Sequence, residues 1–95
     1  MQLIKDVRVK NKLGLHTRPA TTIVKLLQSC RSEVFFTHKQ ETVNAKSILS
    51  LLMLAASKNA LITIVVEGEE DDAALTMDKL VEAFENEFGE AIHAC

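Results

Sequence analysis

The segment Gly14-Leu15-His16-Thr17-Arg18-Pro19-Ala20 sets an imidazole and a guanidinium two residues apart, where a loop meets an apolar periodicity. Pro19 suits a first helical turn, where its missing N–H costs nothing. His16 and Arg18 therefore fall at a helix N-terminus, where unpaired backbone N–H groups and the helix dipole favour anions. An arginine there can hold phosphate oxygens in a two-point clamp, and an imidazole nitrogen is a competent nucleophile. The set suits a histidine that accepts a phosphoryl group and passes it on. It equally suits an ordinary helix start with an exposed His and Arg, and spacing alone leaves both readings open. Thr17 is by type the better N-cap, and Arg18 precedes a proline, which disfavours helix. The helix start is thus placed within a residue or two of His16.

A second segment, Asn44-Ala45-Lys46-Ser47-Ile48-Leu49, carries a serine suited to cap a helix. The helix that follows is apolar nearly all round: Ile48, Leu49, Leu51, Leu52, Met53 and Leu54. A short helix lying on a sheet buries only one stripe. Either neighbouring helices cover both of its sides, or part of it is an exposed patch of the kind that marks a partner surface.

The remaining candidates are weaker. His38 lies beside a predicted turn and reads as solvated; His93 lies in the tail. Cys30 and Cys95 are too few for a disulfide framework or a metal knuckle, so both are expected as free thiols in a reducing compartment. The ending Ile92-His93-Ala94-Cys95 is not a prenylation box. No His/Cys/Asp/Glu set has metal spacing and there is no glycine-rich phosphate loop, so neither metal nor cofactor is expected.

Charge is divided along the chain. Residues 1–58 hold ten basic and three acidic residues, net +7, whereas residues 59–95 hold one lysine and ten acids, net −9. The basic part suits an acidic or phosphorylated partner; a solvated acidic face on one C-terminal helix explains the same asymmetry. The basic residues are scattered and the four aromatics are all Phe, which argues against nucleic acid. The apolar runs Ile48 to Ala56 and Ala60 to Val66 fall short of the roughly 20 residues that span a bilayer. Met1 to Asp6 holds no basic stretch followed by an apolar run, so a cytoplasmic protein without membrane insertion is expected.

These motifs need elements to hold them. Ninety-five residues, 47% of them hydrophobic, make one domain. Leu3, Val7 and Val9 share one face of a first strand, interrupted by Lys5. Ala20, Ile23, Val24 and Leu27 predict a helix over 17–29. Val34 to Thr37 and Glu41 to Val43 predict a hairpin around Lys39-Gln40, a turn without glycine. Ser47 opens a second helix, over Ile48 to Ala56, with Asn59 as a residue able to end it. Ala60 to Val66, apolar on both faces and β-branched, predicts a central strand. Gly68 to Asp72 opens a last helix striped by Ala73, Met77, Leu80, Val81, Phe84 and Phe88, ended by Gly89, with a loose tail beyond. The order βαββαβα predicts an α+β open-faced sandwich: a four-stranded, largely antiparallel sheet with three helices on one face.

At the two motifs the chain resembles the HPr family, the histidine-containing phosphocarriers of the bacterial phosphotransferase system. Gly14 to Ala20 match its active-site signature; Asn44, Lys46, Ser47 and Ile48 match its serine-site signature. The resemblance covers about residues 1–90, leaving 91–95 as a tail past the usual end. It implies that His16 takes a phosphoryl group on Nδ1 from phospho-Enzyme I, charged by phosphoenolpyruvate, and passes it to an EIIA domain. Arg18 and the backbone amides of Thr17 and Arg18 would steady the phosphate. Ser47 would be the regulatory site of an HPr kinase/phosphorylase. Thr17, Ala20, Lys46, Ile48, Leu49, Leu52 and Met53 would form the partner surface of a monomeric carrier that is not an enzyme. A regulatory HPr-like protein outside sugar uptake, nitrogen-type or kinase-linked, is the alternative. A small ligand-binding module, with His16 incidental, is a further one. Thr17 stands where the family most often has Ala, and Ser50, Ala55, Ser57 and Asn59 stand where relatives often have Gly.

Overall fold

The computed structural model describes residues 1–89. The expectations placed on residues 90–95, including His93 and Cys95, lie outside the described residues. The elements are β1 (Gln2–Arg8), α1 (Thr17–Leu27), β2 (Glu33–His38), β3 (Glu41–Asn44), α2 (Ile48–Met53), β4 (Leu61–Glu67) and α3 (Glu70–Glu85). The strands form one antiparallel sheet in the order β1-β4-β2-β3, with the helices on one face. The open-faced sandwich and the βαββαβα order are as the sequence predicts.

β4 is central because its side chains serve both faces. Ile62, Ile64 and Val66 are buried beneath the helices, while Leu61, Thr63 and Val65 lie on the open face, partly exposed. Strand alternation sorts them. Over the buried face pack Ile23 and Leu27 of α1, Leu51 of α2, and Met77, Leu80 and Phe84 of α3. Phe84 meets Phe36 edge-to-face at 5.7 Å and Phe88 at 4.9 Å. Such ring pairs add about 0.5–1.5 kcal/mol to the area they bury.

The two-residue turn Lys39-Gln40 has φ of 48° and 69°, both left-handed. That is the conformation a tight hairpin demands, usually met by Asn-Gly. It fixes the register His38 to Glu41 and Thr37 to Thr42.

The helix ends differ from the sequence reading. α1 stops at Leu27. α2 stops at Met53 rather than Ala56, because Ala55 turns left-handed at φ 52°. Asn59 does have φ 74°, but it serves the turn into β4, where the Ala60 N–H donates to the Ser57 carbonyl, and ends no helix. α3 stops at Glu85, and Phe88 rejoins the core from a short 3₁₀ turn instead of from the helix.

Asp72, in the first turn of α3, fastens the segment between α1 and β2. Its carboxylate accepts the Ser32 hydroxyl, the Arg31 N–H at 3.2 Å and the Ser32 N–H at 2.8 Å. These bonds, the Ser32 hydroxyl foremost, hold the carboxyl below its ordinary range. Gly68 lies against the same serine: a Cβ there would come within 2.3 Å of Ser32 Oγ.

Candidate functional site

The loop before α1 is built around Gly14. Its φ is +73°, and a Cβ would stand 2.4 Å from the Ala56 carbonyl oxygen and 2.8 Å from Ser57 Cα. Glycine is required twice over, for the dihedral and for the close approach. The buried Asn11 donates from Nδ2 to the Gly14 carbonyl at 2.6 Å. The Leu15 N–H donates to the Ala56 carbonyl at 2.9 Å, and Leu15 is buried. The loop is thus clamped from its own strand side by Asn11 and from below by the segment after α2.

His16 follows as the N-cap of α1, in extended conformation and half-buried. The choice the sequence left between His16 and Thr17 falls to His16. Its carbonyl accepts the Ala20 N–H at 3.1 Å, the first bond of the helix, and its side chain makes no capping bond. The N–H groups of Thr17 and Arg18 have no intrahelical acceptor by position, and Pro19 has none to offer. Thr17 and Arg18 are exposed. The imidazole is thus carried by the residue before the first two amides of α1 and two residues before an exposed arginine, at the positive end of an 11-residue helix with no acidic residue in its first turn.

Ser47 caps α2: its hydroxyl oxygen accepts the Ser50 N–H at 3.2 Å. Six residues make α2 about 9 Å long, with Ser47 at one end and the segment that holds Gly14 just beyond the other. Along it Leu51 is buried and Leu52 partly so, while Leu49 is 68% and Met53 64% exposed. Ile48 is 38% exposed. These three form the accessible edge of the patch.

Of the expected surface residues, Ala20 is buried, whereas Lys46 is exposed and tethered by one hydrogen bond. Ala20 has no accessible surface and packs under the site, so its side chain touches the core and not a partner. Lys46 sends its Nζ to the Cys30 carbonyl at 3.1 Å, just past the end of α1. Cys30 is a buried free thiol. Sequence reasoning missed Asn11 and the 55–57 segment. An Asn three residues before a Gly is a turn signal that was available; the tertiary clamp at Ala56 has no local signature. His38, expected to be solvated, is half-buried with Nδ1 3.3 Å from the Leu61 carbonyl.

A histidine at the mouth of a helix, on a four-stranded open sandwich, suits a small carrier module. Residues 3–86 match the family described as PTS HPr component phosphorylation site. The phosphocarrier protein HPr of Chlamydia muridarum is 46% identical over 82 residues, 86% of this chain and 77% of that one. That of Xylella fastidiosa is 39% identical over 85 residues, 90% of this chain and 93% of its own. Among solved structures, HPr from Thermoanaerobacter tengcongensis superposes with a TM-score of 0.85 at 31% identity, covering 92% of this chain and 96% of that one. The chain belongs to the HPr family of phosphocarrier proteins of the phosphotransferase system. No helix among the described residues is long and apolar enough to cross a membrane.

Proposed function

We propose that this chain carries a phosphoryl group on His16 between phospho-Enzyme I and an EIIA domain. The observation that supports it best is His16 at the N-cap of α1, held there by the Gly14 clamp, with exposed Arg18 one turn-edge away. The unprotonated Nδ1 lone pair attacks phosphorus in line. The nitrogen–phosphorus bond forms as phosphorus leaves its group on the donor protein. The Thr17 and Arg18 amides and the Arg18 guanidinium offset charge on the phosphoryl oxygens. The reverse displacement, by an acceptor on the next protein, returns His16 unchanged. The chain so acts as a cytoplasmic carrier and not as an enzyme, since each cycle needs two other proteins.

Ser47 is proposed as a regulatory phosphorylation site. A dianion there sits on its own helix N-terminus, which tolerates it, yet borders the exposed Ile48, Leu49 and Met53, where a partner with an acidic rim would be repelled. The carrier is expected to act as a monomer, although two similar structures are recorded as dimers, an HPr of T. tengcongensis and the catabolite repression protein Crh of Bacillus subtilis. Light scattering after gel filtration settles that point. The carrier reading is tested with phosphoenolpyruvate, purified Enzyme I, and wild type beside His16→Ala. One acid-labile phosphate on wild type alone is expected by intact mass. No label with a cognate Enzyme I would leave His16 without this role.

A further inference from the structure

Where the sheet ends beside β1 and β2, an open cavity of about 430 Å³ is walled by residues from three separate parts of the chain. Arg8 comes from the end of β1, His38 and Lys39 from the end of β2 and its turn, and Asn59 from the turn before β4. Among the described residues none of Arg8, His38 and Lys39 is in an ion pair. Arg8 commits one N–H, from Nη1, to the Asn59 carbonyl at 2.9 Å, which aims the guanidinium and leaves its other donors available. A carbonyl oxygen can only accept, so the 3.3 Å approach of His38 Nδ1 to Leu61 puts the ring hydrogen on Nδ1. Nε2 is left for a ligand.

Two carboxylates lie nearby, Asp6 and Glu41, and neither lines the cavity. Asp6 on β1 accepts the Thr63 hydroxyl at 2.7 Å. Glu41 on β3 stands opposite His38 in the strand register, outside the cavity lining. Thr37 and Thr63 also line the cavity; the Thr37 hydroxyl is bonded to that of Thr42 at 2.8 Å and the Thr63 hydroxyl to Asp6, and each keeps capacity for one further hydrogen bond.

We propose that this cavity binds a small phosphate monoester, its dianion on Arg8 and Lys39 and its hydroxylated body over the Thr37 and Thr63 hydroxyls. A bare phosphate would fill only part of the volume. The cavity is separate from His16, although both lie toward the same end of the sheet.

The test is an amide NMR titration of the full chain with glycerol phosphate, with inorganic phosphate and glycerol in parallel and potassium chloride matching ionic strength. Saturating shifts are expected at Arg8, His38, Lys39, Asn59 and Leu61, with glycerol silent. Arg8→Gln and Lys39→Gln should each weaken binding at least about tenfold, whereas His16→Ala should leave these shifts in place. Equal binding of inorganic phosphate would keep the anion site but remove the role of the ester body. Shifts confined to Gly14 through Arg18, or reproduced by potassium chloride, would overturn the proposal.

Discussion

Replacing Gly14 by Ala tests the clamp that positions His16. The new Cβ meets the Ala56 carbonyl oxygen at 2.4 Å and Ser57 Cα at 2.8 Å, both main-chain atoms that no rotamer change can move aside. Backbone shifts of that kind cost about 1–3 kcal/mol. Holding a non-glycine residue at φ +73° adds about 1–2 kcal/mol. The expected loss is therefore about 2–5 kcal/mol, which in a domain of this size lowers Tm by roughly 8–40 °C. Gly89 supplies the internal control. It shares the left-handed dihedral, at φ +82°, but has nothing within 4 Å of its would-be Cβ. Gly89→Ala should lose only the conformational part, about 1–2 kcal/mol or less. Urea unfolding of both variants, with unchanged slopes, gives the difference directly. Phosphorylation by Enzyme I, assayed where both variants are folded, should be slowed in Gly14→Ala and not in Gly89→Ala. Equal destabilisation of the two would refute the claim that the loop is pressed against residues 56 and 57.

Phe84→Ala should cost about 3–5 kcal/mol in chemical denaturation, since the ring is buried and contacts both Phe36 and Phe88. Gln40→Gly should stabilise the hairpin by about 0.5–1 kcal/mol: it relieves a residue held at φ 69°, less the entropy a glycine adds to the unfolded chain; a destabilised variant would contradict that geometry. For Asp72 the folded carboxyl titrates below 3.8, its ordinary value. Its contribution is therefore present above that pH and lost as pH falls through the lower folded value. Tm profiles should show a shallower acid limb in Asp72→Asn than in wild type, and parallel limbs would show that the Ser32 bonds do not hold the carboxylate.

Much of this was readable before the structure. Periodicity placed β1, α1 and α3; the Ser47 cap placed α2, a β-branched run apolar on both faces placed β4, and two short runs around Lys39-Gln40 placed the hairpin. The His16 and Ser47 motifs were readable because a helix start has local chemistry. What escaped was set by tertiary contact. α2 stops early because Ala55 turns so that the Ala56 carbonyl can meet the Leu15 N–H. Ala55 and Asn59 keep left-handed backbones without being glycine. The resemblance put Ala20 on the partner surface, while its helical spacing with Ile23 and Leu27 put it on the buried stripe, and it is buried.

The contacts that hold the His16 loop to the 55–57 segment are made by that segment's main chain. The Ala56 carbonyl receives Leu15, and the Ala56 and Ser57 backbone faces Gly14. Every residue type offers the same carbonyl, so Ser57, whose side chain is exposed, is open to replacement without moving the histidine. Gly14 admits no such exchange. The two sides of one contact thus face unequal mutational tolerance. In a library covering both, position 57 should accept broad chemistry while position 14 accepts glycine alone, so the exposed side chain at 57 can vary without moving His16.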